Sequence, residues 1–206
     1  MLHDGATLSE ATRSIVEAFG LRLTLLPVSD DRIRTIVETA AGETLAFQEY
    51  FVKRRTEDDV RSVRFDGIAA ATPAPGVLDA ILGASIVAIA PSNPIVSIGP
   101  LLSVGGVRDA LRHTNAKVVG VSPIIGGKTI KGPADRMMAS LGMTPTAVGV
   151  AEAYRDFLDV LVIDEQDRDL GAAVEATGVR AVVSQTIMRG MPEKRALAEV
   201  VLRAVQ

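Results

Sequence analysis

The sequence contains no cysteine, and its two histidines, His3 and His113, lie far apart in the chain. Disulfide scaffolding, thiolate chemistry and the common zinc sites are thereby excluded, because each needs clustered sulfur or imidazole groups. Basic charge is not in excess: 22 Lys and Arg against 25 Asp and Glu leave a formal net charge of -3 over 206 residues. Binding to nucleic acid by counterion release needs the opposite sign, so no nucleic-acid partner is expected. No apolar run is long enough to span a bilayer, and the opening residues MLHDG lack the charged and apolar blocks of a signal peptide. With no thiols to protect and no membrane partner, the expectation is a soluble cytoplasmic protein. What remains is 48% hydrophobic and 23% charged, enough to bury a sizeable core in one domain, or in one domain plus a small lobe.

Thr7-Leu8-Ser9-Glu10 has the form of a capping box ahead of apolar Ile15, Val16 and Phe19, and Gly20 supplies a helix stop. Residues 21–26 and 33–39 read as strands joined by the turn-forming residues 27–31. Residues 45–55 fit helix or strand, with helix favoured; residues 57–64 form a charged, solvated run, and a short helix follows over 76–82. From residue 84 apolar strands alternate with amphipathic helices, the pattern of parallel strands buried on both faces. The predicted strands are 85–90, 117–121, 160–163 and 181–185, and the predicted helices 104–113, 133–141, 146–157, 169–176 and 192–204. The fold class expected is α/β, Rossmann-like, a mostly parallel sheet with helices on both faces plus a small α+β lobe near the N-terminus. The division expected is a lobe over 1–68 and a Rossmann-like portion over 69–206.

In open α/β sheets ligands bind beyond the carboxyl ends of the strands, so the loop after each strand is the place to look for chemistry. The first, Pro91-Ser92-Asn93-Pro94-Ile95-Val96-Ser97, sets hydroxyl and amide groups among prolines that stiffen the backbone. It either positions a ligand through Ser92, Asn93 and Ser97 or is a rigid turn capping the next helix. The second, Ser122-Pro123-Ile124-Ile125-Gly126-Gly127-Lys128-Thr129-Ile130-Lys131-Gly132-Pro133, combines glycines, two lysines and a following helix N-terminus, a combination suited to phosphate or diphosphate. It lacks the Walker spacing, and a glycine turn with solvated lysines is the alternative. Asp30 and Asp31 in a turn are read as a solvated Asx motif ahead of a cation site. Phe47-Gln48-Glu49-Tyr50-Phe51 gathers three of only five Phe and two Tyr; core contact is favoured for Phe47 and Phe51, and stacking on a flat heterocycle is the other reading. His113 is expected as a surface cation at a helix end.

Together the segments LLPVSDDRIRT, FQEYFVKRR, VRFDG, APGVLDAI, IAPSNPIVSIGPLL and VSPIIGGKTIKGPADRMM resemble the 2-phospho-L-lactate transferase family, whose actinobacterial branch is described as phosphoenolpyruvate transferase. The proline-asparagine loop and the glycine-lysine loop are shared with the gluconeogenesis-factor-like proteins. The FQEYFV and SDDR segments favour the transferase branch. The resemblance implies an enzyme of coenzyme F-420 biosynthesis, transferring a phospholactyl or phosphoenolpyruvyl group from a guanosine diphospho-conjugate to the deazaflavin FO, with Mg²⁺, and releasing GMP. It assigns Ser92, Asn93, Ser97 and Ser122 to ligand positioning and Gly126, Gly127 and Lys128 to a phosphate-facing loop; no catalytic residue is assigned. The alternative is a non-catalytic nucleotide- or sugar-nucleotide-binding regulator. Members of the family usually begin with a strand, a GGxGG-type loop and aspartates for metal and FO, none of which precedes Leu8. The expectation is therefore a chain without the family's first third or a divergent short form, its metal ligands lying in that segment. An exposed apolar edge and self-association, a homodimer among the forms, are expected with it.

Overall fold

A computed structural model describes residues 1–206. Helix α1 (Leu8–Ala18) begins as its sequence dictates: Thr7 accepts a hydrogen bond from the Glu10 amide, and the Glu10 carboxylate accepts one from the Thr7 amide. Beyond it, residues 21–26 do not form the predicted strand. Leu21, Leu23 and Leu25 alternate with polar neighbours, but they lie 48–55% exposed and no neighbouring chain offers a hydrogen-bond ladder. Alternation without a pairing partner leaves an extended loop.

Strands β1 (Arg34–Thr39), β2 (Thr44–Ala46) and β3 (Val60–Asp66) form an antiparallel sheet in the order β2-β1-β3. Residues 45–55, favoured as helix, divide between β2 and a π-helical turn over Glu49–Lys53. The run over 57–64, expected as solvated, is loop only over 57–59 and joins β3 from Val60. Val60 is buried and Val63 is partly so, while Arg61 and Arg64 face solvent, the arrangement that blunts an edge strand. Val37, Leu45, Tyr50 and Val60 share a small core with Met137 from much later in the chain, and Ile95 and Val96 pack against it. The antiparallel sheet therefore rests on the loop after the next strand.

The chain continues through α2 (Val77–Leu82), β4 (Ile86–Ile89), a π-helical turn over Pro94–Ile98, α3 (Gly99–Ser103) and α4 (Val107–His113). The helix predicted over 104–113 starts late because the Gly105-Gly106 pair breaks it, with Gly106 at φ 86°. Then come β5 (Lys117–Val121), the hairpin β6 (Ile124–Ile125) and β7 (Lys128–Thr129), α5 (Ala134–Ser140) and α6 (Ala147–Tyr154). Strand β8 (Val160–Asp164), a 3-10 turn over Glu165–Leu170, α7 (Gly171–Glu175), β9 (Arg180–Ser184) and α8 (Met191–Arg203) complete it. The parallel sheet runs β4-β5-β8-β9.

Side-chain alternation along β5 and β8 builds the two faces. Val118, Leu161 and Ile163 enter a core with Val150, Ala151 and Tyr154 of α6, while Val119, Val121, Val160 and Val162 meet Leu197 and Val201 of α8. Each fully buried aliphatic side chain contributes roughly 1.5–3 kcal/mol of transfer free energy. The central strands are thus the most firmly held part of the molecule, and they aim their carboxyl ends at the loops that matter. Helices cover both faces, as the α/β pattern requires. No helix is long and apolar enough to cross a membrane.

Candidate functional site

A cavity of about 510 Å³ lies beyond the carboxyl ends of β4, β5 and β9, within the usual size range of small-molecule sites. One wall is the loop after β4. Asn93 caps the π-helical turn there: its Oδ1 accepts from the amides of Ile95 (2.8 Å) and Val96 (3.2 Å), and its Nδ2 lies 3.7 Å from Met137 Sδ. Its oxygen is therefore spent on shaping the loop, the capping alternative weighed from sequence. Ser92 and Ser97 line the same wall, and their hydroxyls have no hydrogen-bond partner within the protein. They are the groups this loop leaves free for a guest.

Ser122, at the end of β5, also lines the cavity, yet its hydroxyl donates to Ile124 O (2.9 Å) and accepts from the Ile124 amide (3.2 Å). It shapes the turn into the β6–β7 hairpin. Gly126 and Gly127 are the two residues of that hairpin's turn, at φ 57° and 75°. Left-handed backbone at both central positions is what a tight hairpin demands, and glycine supplies it without strain. The Gly126 amide is taken by the Asp167 carboxylate, 3.1 Å from each oxygen. Gly126, Gly127 and exposed Lys128 do not line this cavity. The same loop reaches the cavity farther along, through Thr129, Lys131 and Gly132. Lys131 is exposed and makes no ion pair, so its ammonium is available there.

Two walls carry groups that sequence reasoning assigned elsewhere or overlooked. Phe47 and Phe51 stack, with centroids 5.7 Å apart and ring planes at 17°. Phe47 packs on the antiparallel core, but Phe51 is 43% exposed, and both face the cavity. Of the two readings of this pair, a core contact holds only for Phe47; together they present an aromatic surface to a flat ring. The loop after β9 adds Thr186, Ile187 and Met188. Its position after a parallel strand was the only sequence signal for it, because no residue in it announces ligand chemistry.

Behind the cavity sit two buried carboxylates. Asp164, the last residue of β8, accepts from the Thr186 amide (2.9 Å), the Thr186 hydroxyl (2.8 Å) and the Gln166 amide (3.1 Å). Burial alone would raise its pKa, but these donors outweigh burial and hold it below the ordinary carboxylate value. Asp167 has the opposite balance: burial pushes its pKa up, the Gly126 amide offsets part of this, and the nearby Asp164 charge adds to the rise. Asp31 accepts from the Thr72 amide (2.8 Å), which lowers its pKa, and Asp30 accepts from Ser9; both serve as loop tethers remote from the cavity. His113 is exposed, with Nδ1 2.8 Å from Asp109 O at the end of α4.

The magnesium ion implied by the resemblance does not fit the residues of this chain. No carboxylate or imidazole lines the cavity, and nowhere do three His, Asp or Glu side chains converge as a cation needs.

The family model described as 2-phospho-L-lactate transferase CofD matches residues 1–191. The chain belongs to the CofD family. Among relatives of this CofD chain, the 2-phospho-L-lactate transferase of Methanosarcina mazei is 42% identical over 204 residues, covering 99% of this chain and 66% of that one. The phosphoenolpyruvate transferase of Kitasatospora aureofaciens is 41% identical over 183 residues, covering 87% and 57%. The CofD chain thus spans 66% or less of the length of these relatives. A crystal structure of a Bacillus halodurans protein of the UPF0052 family superposes with a TM-score of 0.67 at 15% identity, covering 95% of this chain and 66% of that one. That likeness speaks to the α/β fold alone.

Proposed function

We propose that this chain carries the ligand-holding part of a CofD-type transferase. In that reaction a phospholactyl or phosphoenolpyruvyl group passes from a guanosine diphospho-conjugate to the terminal hydroxyl of the deazaflavin FO. The hydroxyl oxygen attacks the phosphorus nearer the lactyl or enolpyruvyl group, and the bond from that phosphorus to the bridging oxygen breaks. GMP leaves with the electron pair, and the proton of the hydroxyl is lost to water. Such chemistry asks a protein for neutralised charge and in-line placement, with no covalent enzyme intermediate.

The observation that carries this reading is one cavity bordered by both a stacked Phe47–Phe51 surface and a polar rim of Ser92, Ser97 and Lys131. A flat heterocycle and an anionic diphosphate are the two ends of one such guest. Magnesium remains part of the reaction as read from the family, but no step is derived through it, since this chain's side chains do not fit it. FO is fluorescent, so titrating it with the chain tests the proposal. Saturable quenching or anisotropy gain, weakened by Phe51→Ala, supports a transferase; binding of guanosine diphosphate without any FO response favours a nucleotide-binding regulator instead.

A homodimer belongs to the same reading. Leu8 and Ile15 on α1 and Phe19 just after it are exposed, followed in the chain by Leu21, Leu23 and Leu25, which lie in no strand, an apolar surface of the kind that pairs with a second copy. Sedimentation should show concentration-dependent association that Phe19→Ser with Leu23→Ser abolishes; a monomer at every concentration contradicts it.

A further inference from the structure

We propose that Asp164 is a positioning residue, which sets the wall formed by Thr186, Ile187 and Met188 against the bound ligand. The inference rests on the functional reading above only for the identity of the guest.

Asp164 ends the strand β8, directly opposite Ser184 at the end of β9. The chain leaving β9 passes exposed Gln185, whose Nε2 donates to Ile187 O (2.8 Å), and Thr186 is buried again, at 4%. What turns it back across the end of β8 is the Asp164 carboxylate, which takes both the amide and the hydroxyl of Thr186 on one oxygen. Its other oxygen takes the Gln166 amide. With Thr186 fixed, Ile187 and Met188 follow into the cavity wall. Asp164 itself is 3% exposed and is absent from that wall, so it acts through Thr186 and not on the guest.

Three donors on one carboxylate leave no room for an amide. Asparagine at 164 has a single acceptor oxygen and would aim its NH₂ at a backbone or hydroxyl donor, so one end of the tether must fail. Asp167, three residues on and equally buried, receives only the Gly126 amide, shared between its two oxygens. One amide oxygen meets that need. The same chemical exchange at two neighbouring buried carboxylates therefore has opposite consequences, an internal control that a general effect of losing buried charge does not mimic.

The test measures hydrogen exchange over residues 184–190 and calorimetric binding of guanosine diphosphate in the 206-residue chain. Asp164→Asn should speed exchange in that segment on the order of tenfold and weaken binding by a similar factor, while β5 stays protected. Asp167→Asn should leave the segment's exchange as it was. Should Asp164→Asn fail to fold, Thr186→Val removes the hydroxyl donor alone and should give a partial loss that Thr186→Ser restores. Unchanged exchange in both Asp164→Asn and Thr186→Val, or equal loosening by Asp167→Asn, overturns the tether. Guanosine diphosphate failing to bind any form, wild type included, overturns the functional reading while the exchange data still decide the tether.

Discussion

Lys131, and not Lys128, should carry the phosphate affinity of this chain. Lys128 is the first residue after the Gly126-Gly127 turn and is not part of the cavity lining, whereas Lys131 borders the cavity with no carboxylate partner to neutralise it. A cation about 4 Å from a phosphate gains roughly 1 kcal/mol at the dielectric of water and about 4 kcal/mol at that of a protein surface. Lys131 is exposed, so the lower end applies, and ordering its flexible side chain subtracts from it. Lys131→Ala should therefore raise the Kd for guanosine diphosphate about threefold to fivefold. Lys131→Arg should retain most of the affinity, and Lys128→Ala should change it less than about twofold. Calorimetry at low and moderate salt reads all three, and the gap between wild type and Lys131→Ala should narrow as salt screens the charge. A larger loss from Lys128→Ala than from Lys131→Ala refutes the assignment of the cavity as the phosphate site.

Two stability predictions follow from buried polar groups. The Tyr154 hydroxyl is buried without a hydrogen-bond partner, and burial pushes the phenol pKa up; Tyr154→Phe should stabilise the chain by about 1 kcal/mol, a rise of roughly 2–4 °C in Tm by thermal denaturation. A lowered Tm would mean that the hydroxyl is satisfied. Asp167 has a raised pKa in the folded chain, so its contribution is most favourable below the unfolded carboxylate value and is lost as pH rises through the folded one. Asp167→Asn should thus raise Tm relative to wild type at neutral pH, with the difference shrinking as pH falls toward about 4. A constant difference across that range contradicts it.

The parallel sheet was legible because its strands are continuous apolar runs with turn residues between them; β5 covers the expected 117–121, with Val118, Val119 and Val121 buried. Residues 21–26 misled because alternation records which side chains share a face and says nothing about a partner strand. Residues 60–64 misled in reverse, since charges on an edge strand look like charges on a loop. At the site, the loops after β4 and β5 were visible through their prolines, glycines and lysines. Which lysine faces the cavity was not, because that depends on where a two-residue turn reverses the chain. The Thr186–Met188 wall was hidden for a deeper reason: it is ordered by Asp164, 22 residues earlier, and a hydrogen bond across the sheet leaves no local pattern.

The central claim is that the loops after β4 and β5 together hold one diphosphate-bearing guest. Hydrogen exchange with and without guanosine diphosphate tests it most directly. The account predicts that amides at residues 92–98 and at 129–134 slow together and with the same dependence on ligand concentration. Protection of one segment alone, or of neither, contradicts a shared site.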